Sequence, residues 1–321
     1  MEALNNAGNI VESEVVAGES ESFVSIITPV YNSEAYLDEA IASACAQTHS
    51  NFEYFLVDDG SCDRSVDIIN TWAKRDSRIT PIYRTQNGGP AAARNSALEV
   101  AGGKFIAFLD SDDVWDKSKL EKQLAFLKWH SEVGLVASEI NRIDNFGNVV
   151  ERKLFDVNSY SWGWVSAKDY IIKGLPLCTS SIIVRTEYLR KQGGFRDLYR
   201  IGEDYEMWFR ISRECEIRCI AEPLVNYRQH DTNTTGNKLR NRSNKVLLLE
   251  NEVLNNPRVL NEIGDEFIGM MQRKYCSLAK LYAENNDREA AKKTFEKALA
   301  FDSSRLQRLK AYILRWWYCF R

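Results

Sequence analysis

Between Phe23 and Leu109 four short, almost uninterrupted apolar runs are separated by stretches with helical spacing. The runs are Phe23–Val30, Phe52–Val57, Ile79–Tyr83 and Phe105–Leu109. Between them lie Glu34–Gln47, Ser65–Lys74 and Pro90–Val100, the last opening on a proline suited to the first helical position. A strand that is apolar at every position, not at alternate ones, must be buried on both faces. Strands of that kind alternating with helices predict a mostly parallel sheet covered on each side by helices, an α/β fold.

The pattern loosens further along. From about Leu120 to Gly202 only Leu135–Ala137, Ser180–Val184 and Ile217–Ile220 read as strands, and Trp162 and Trp164 sit in a loop-like segment. From Asn237 onward no strand is readable and helical spacing takes over. Within it Tyr275–Phe301 reads as helix, Asn285-Asn286-Asp287 turn and helix, resembling one tetratricopeptide-type hairpin. One such unit cannot bury its own apolar face, so a helical cap is the expectation. Residues 1–22 are polar and acidic without a sustained period, which predicts a disordered tail. The expected division is a tail at 1–22, an α/β domain at 23–236 and a helical C-terminal region at 237–321.

Composition narrows the class. Of 321 residues 44% are hydrophobic and 27% charged, as in a soluble globular chain able to bury a sizeable core. A net charge of −3 argues against general nucleic-acid binding. No apolar run is long enough to span a membrane, and the acidic N-terminus lacks the features of a secretory signal. Seven cysteines, an odd number without any Cys-x-x-Cys pair, fit a reducing cytoplasm. Residues 305–321 hold five Lys/Arg and no acid, with Leu306, Leu309, Ile313, Trp316, Trp317 and Phe320 on one helical face. Such a helix serves either as an interfacial anchor at the inner face of the cytoplasmic membrane or as a face packed on the protein's own core or on a partner.

In an open α/β sheet ligands bind beyond the carboxyl ends of the strands. The first run delivers Thr28-Pro29-Val30-Tyr31-Asn32 there, the second Asp58-Asp59-Gly60-Ser61 and the fourth Asp110-Ser111-Asp112-Asp113. Clustered carboxylates repel one another and call for a compensating charge, and a hard divalent cation with open positions for phosphate supplies it. Some of these acids also suit helix N-caps, but one cap needs only one acid. Gly88-Gly89 before a helix allow a ligand to approach the backbone or simply form a turn. Arg94 is placed to pair with phosphate or with the strand-end acids.

Taken together, VSIITPVYN, VDDGSCD, GGPAAARN and FLDSDD resemble the successive motifs of family 2 glycosyltransferases, in order and spacing, over roughly Phe23 to His230. The resemblance implies a GT-A-type nucleotide-binding domain and an inverting enzyme. The enzyme would move a sugar from a nucleotide-sugar donor, UDP by preference, to an acceptor hydroxyl on a glycan or lipid-linked carrier. Cell-envelope or exopolysaccharide assembly is the role the family suggests. Pro29 and Tyr31 match positions bordering the base, Asp59 the residue that hydrogen-bonds a uracil-type edge, and Arg84 a base-contacting position. Asp110 and Asp112 match the Asp-x-Asp that binds Mn²⁺ or Mg²⁺, with Asp112 the direct ligand and Asp110 near the ribose. His230, in Tyr227-Arg228-Gln229-His230, matches a residue that contacts the metal or the diphosphate.

Inverting transfer is a single displacement that needs a carboxylate to take the acceptor's proton. In Gly202-Glu203-Asp204-Tyr205-Glu206 a Gly followed by two acids opens an amphipathic helix and places those carboxylates at its first turn. It resembles the family's Glu-Asp motif, which makes Asp204 the base and Glu203 its support. The Gln-x-x-Arg-Trp motif of processive synthases is missing, so one sugar per event is expected. Two rivals stand beside this reading: an inactive sugar-nucleotide-binding scaffold and a haloacid dehalogenase-type phosphohydrolase built on Asp110. The second leaves the VDDGS and Gly-Glu-Asp segments unexplained.

Overall fold

The structure is a computed structural model, and it describes residues 22–152, 165–174, 177–199, 201–230, 237–301, 311–315 and 318. The expected tail at 1–22 lies outside the described residues save for Ser22. So do Trp162, Trp164 and most of the cationic C-terminal helix. The chain divides into two compact units. The first holds Met1–Ser166, Pro176–Arg200 and Arg210–His230; the second holds Ala167–Leu175, Ile201–Phe209 and Asp231–Arg321.

The first unit is built on a sheet of nine described strands in the order β3-β2-β1-β4-β8-β6-β9-β5, with β7 paired to β6. Strands β1 (Val24–Val30), β2 (Phe52–Asp58), β3 (Ile79–Tyr83) and β4 (Phe105–Phe108) are mutually parallel. They alternate with α1 (Leu37–Cys45), α2 (Ser65–Arg75) and α3 (Gly89–Leu98). The continuous apolar runs have the expected outcome: every position of β4 and six of seven in β1 are buried. Because β1 pairs with β2 on one side and β4 on the other, the direction of strand succession reverses at β1. That is the switch point at which such sheets open a ligand crevice.

The remaining strands mix directions. β5 (Val114–Trp115) pairs antiparallel to β9 (Glu216–Arg228), and α4 (Lys119–Trp129) leads into the eleven-residue β6 (Val133–Ile143). β7 (Val149–Glu151) and β8 (Ile183–Arg185) run antiparallel to β6, whereas β9 runs parallel to it. The expected strand at Ser180–Val184 is in fact a 3-10 turn, Thr179–Ser181, followed by β8, then by α5 (Thr186–Lys191). Ser180 leaves the ladder because its groups serve the strand-end acids described below.

The second unit is helical. It contains a short helix at Ala167–Asp169 running into a wider π turn at Tyr170–Gly174, and the first seven residues of α6 (Glu203–Ser212). Its further helices among the described residues include α7 (Lys238–Leu249), α8 (Pro257–Ile263), α9 (Glu266–Glu284) and α10 (Arg288–Leu299). The α9–α10 hairpin turns at Asn286, whose φ of 63° is left-handed, and Asp287 caps α10 by accepting from the Ala290 amide at 3.0 Å. Phe267, Met271, Tyr275 and Phe295 fill its apolar seam.

Candidate active site

Hydrogen bonds extend the central ladder past the ends of the strands. The Asp59 amide donates to the Val30 carbonyl at 2.8 Å and the Leu109 amide to that of Ile27 at 3.1 Å. The acids after β2 and β4 therefore leave the sheet on either side of Tyr31, at one edge. Ser33 Oγ and Ser111 Oγ lie 2.7 Å apart and tie the loop after β1 to the Asp110–Asp113 loop.

Asp58 and Asp59 have different work. Asp58 accepts from the amides of Gly60 and Ser61, folding its own turn. Asp59, only 2% exposed, accepts from Arg84 Nε at 2.7 Å and from the amides of Gly88 and Gly89 at 3.1 and 2.7 Å. Gly88-Gly89 thus face a carboxylate of the protein itself. A Cβ at position 88 would come within 2.6 Å of the Arg84 guanidinium and 2.8 Å of Ala92 Cβ. Gly89 needs its positive φ of 83° to aim its amide at Asp59. Arg84 is held in turn by Ser96 Oγ at 2.7 Å, while Pro29 is half-buried and the Tyr31 ring is 50% exposed.

The second cluster follows β4. Asp110 Oδ1 pairs with Arg94 at 2.8 Å, and Arg94 is 3% exposed. Asp112 Oδ2 lies 2.9 Å from His230 Nε2. Burial first, then the Asp110 charge, raises the Asp112 carboxyl above its ordinary value, and His230 counters both. Asp113 is fully buried; it accepts from Ser180 Oγ at 2.5 Å and from the Arg228 amide at 2.9 Å. Burial, Asp112 and Asp110 together hold Asp113 well above the carboxylate range. Only Asp110 and Asp112 of the three remain placed to meet a ligand.

Three supporting residues were not legible in the sequence. Ser180 donates to Asp113 and accepts from the Asp110 amide at 3.0 Å, so one hydroxyl spaces the acids at both ends of the motif. Arg228, 1% exposed, donates to the carbonyls of Asp112, Asp144 and Asn145 and to Glu39. Tyr36 lies with its ring centroid 4.8 Å from the Arg228 guanidinium and 4.9 Å from the His230 ring. It therefore sets the tilt of the imidazole that meets Asp112.

A divalent cation can be tested against this donor set. Asp112 and His230 are in contact and Asp110 is close enough to disturb Asp112, but Asp110 is engaged by Arg94. Among the described residues no three acid, His or Cys side chains gather closely enough to hold a metal by themselves. The set suits a hard cation that takes one or two protein ligands and fills its other positions with phosphate oxygens.

Glu203 and Asp204 belong to the second unit. They occupy the first turn of α6, with Glu203 buried and Asp204 half-buried. The Tyr205 amide donates to Asp204 Oδ1 at 2.6 Å. Tyr205 stacks on Tyr170 with centroids 4.7 Å apart, which fixes this turn within the helical unit.

Comparison with known proteins agrees with this architecture. Residues 25–191 match Glycosyl transferase family 2. A putative teichuronic acid biosynthesis glycosyltransferase, TuaG, of Bacillus subtilis is 42% identical over 139 residues, covering 41% of this chain and 55% of that protein. An uncharacterized glycosyltransferase of Methanocaldococcus jannaschii is 33% identical over 208 residues, 64% of this chain and 70% of its own length. The chain spans about half the length of the first curated relatives it matches, 55% in one and 42% in the next. Among solved structures, residues 1–349 of S. aureus TarS in complex with UDP superpose with a TM-score of 0.64 at 22% identity, covering 92% of this chain and 88% of that one. The Pyrobaculum calidifontis mannosyltransferase PcManGT, in complex with GDP-Man and Mn²⁺, gives 0.59 at 19% identity, over 90% and 78%. The fold is of the GT-A type, and the chain belongs to glycosyl transferase family 2.

Proposed function

We propose that the chain transfers a sugar from a UDP-sugar to an acceptor hydroxyl, with inversion, in the assembly of a cell-envelope glycan. The observation that carries this reading is the gathering of three acid–base pairs, Asp59–Arg84, Asp110–Arg94 and Asp112–His230, beyond the switch point of a family 2 sheet. The similarity to TuaG and the UDP complex of TarS support the glycan class and the nucleotide.

In this reading Pro29 and the exposed Tyr31 ring flank the base. Asp59 keeps about one of its four lone-pair sites for a base N–H, since three donors already occupy the others. Arg84 borders the same position, and Asp110 meets the ribose. Asp112 would hold Mn²⁺ or Mg²⁺, with His230 and Asp110 beside it, and the cation would supply positive charge for the departing phosphates. Asp204 takes the acceptor's proton and Glu203 supports it.

Loss of a general base typically costs about 10²–10⁴ in rate. Asp204→Asn should therefore lower turnover at least about a hundredfold while UDP affinity in Mn²⁺ stays near wild type. Normal turnover by Asp204→Asn would remove it from the mechanism. Calorimetric titration with UDP, with and without Mn²⁺, tests the donor half: Asp112→Asn should lose the metal-dependent part of binding.

A further inference from the structure

The helical unit contains a cavity of about 610 Å³ between α7 and α9 that the proposed chemistry leaves unused. Five of its lining side chains are cationic: Lys238, Arg242 and Lys245 from α7, Arg273 and Lys274 from α9. Among the described residues no carboxylate lines it. Ser277 adds a hydroxyl, which accepts from Arg242. The volume falls within the range of small-molecule sites, about 300–1,000 Å³.

Such a concentration of like charge works against folding. Burial lowers Lys245 to about 8, with Lys274 and Arg242 pushing the same way, and burial with Arg242 and Arg273 lowers Lys274 too. A folded chain spreads cations over its surface when nothing else is at stake, because half-burying two lysines side by side costs desolvation and repulsion together. The arrangement becomes favourable once an anion with more than one negative charge enters, because each ammonium and guanidinium then gains a charge-assisted hydrogen bond.

Position adds a second observation. Lys245 Nζ lies 4.2 Å from the centroid of the Tyr205 ring, and it feels the charge of Asp204. The cationic cavity and the carboxylate expected to act as base are therefore neighbours in one compact unit. We propose that this cavity binds a phosphate group of the acceptor, a diphosphate or phosphodiester, and so sets the distance from that phosphate to the hydroxyl that Asp204 deprotonates. The acceptor role rests on the glycosyl-transfer reading; the anion site itself does not.

The test is calorimetric titration of the full chain with inorganic pyrophosphate in metal-free buffer containing EDTA, where a metal-dependent donor site is silent. Wild type should bind, Lys245→Gln/Lys274→Gln should bind at least about tenfold more weakly, and Lys274→Arg should retain binding because the charge is kept. A parallel arm uses phosphatidylcholine vesicles with and without phosphatidic acid. Binding to pyrophosphate and also to the acidic vesicles would support the same site reached from a lipid-borne phosphate. Binding to the vesicles with none to pyrophosphate would overturn the cavity as a site and leave only a surface patch. No pyrophosphate binding at all, or equal binding by the double variant with an unchanged melting temperature, would also overturn it. Failure of UDP to bind with Mn²⁺ would refute the donor reading and leave these arms untouched.

Discussion

Chemistry at the strand ends depends on how each acid is neutralised. Asp58 and Asp113 are turned inward and satisfied by the protein's own donors, so neither is available to a ligand. Asp110 and Asp112 each keep a basic partner and stay partly exposed, whereas Asp59 is buried against Arg84 and the Gly88 and Gly89 amides. The acids were legible in the sequence because carboxylates clustered at strand ends have few structural explanations. Ser180 and Arg228 were not legible: Arg228 is one of 42 Lys/Arg, and its partners Asp112 and Asp113 lie 116 and 115 positions away. Another buried charge gives a prediction on stability. Lys119 is fully buried with Nζ 4.1 Å from the Trp115 ring centroid, and burial holds its pKa well below the ordinary 10.5. A lysine depressed on folding binds its proton less readily in the folded chain. Stability therefore rises with pH between the depressed value and 10.5 and is lost as the pH falls through that window. Lys119→Met should stabilise by about 1 kcal/mol at neutral pH and flatten this dependence, as read from urea midpoints. A destabilised Lys119→Met would mean that the amine has a partner worth more than its burial costs.

At the scale of elements the parallel strands were the most legible. β3 has the expected limits and β1, β2 and β4 differ by a residue at one end, because a doubly buried strand has an apolar residue at nearly every position. β9 runs from Glu216 to Arg228, although the sequence suggests a strand only over Ile217–Ile220. Ala221 and Glu222 are exposed in its middle, Pro223 follows, and Leu224 and Val225 are then buried side by side, so no period of two carries through the strand. The loop between β3 and α3 shows the same coupling of backbone to chemistry. Gly89→Ala has open space for its Cβ but must adopt φ of 83°. The strain should cost about 1–2 kcal/mol and tilt the amide away from Asp59. The expected outcome is a lower melting temperature together with several-fold weaker UDP binding. A loss of stability with UDP affinity intact would show that this amide serves the fold alone.

For the whole molecule, the sequence suggests one division near Gly236, whereas the two compact units interleave. The chain passes between its units after Ser166, Leu175, Arg200, Phe209 and His230. Ala167–Leu175 and Ile201–Phe209 group with the C-terminal helices, with Tyr170 and Ile171 buried. Nothing in local periodicity signals such excursions, because each is only nine residues long. A chain ending at His230 should strand those segments without the helices they pack on. It should express poorly or melt well below the full chain, and a stable fragment of native-like melting temperature would contradict this.

The interleaving also bears on how such a protein can be recombined. Were donor and acceptor recognition carried by two cassettes joined at one seam, a single crossover between homologous genes would exchange one without the other. Here the stretch bearing Asp204 travels with the distal helices although about twenty residues of the other unit separate it from them. A chimera inheriting the second unit intact must take three pieces from the same parent.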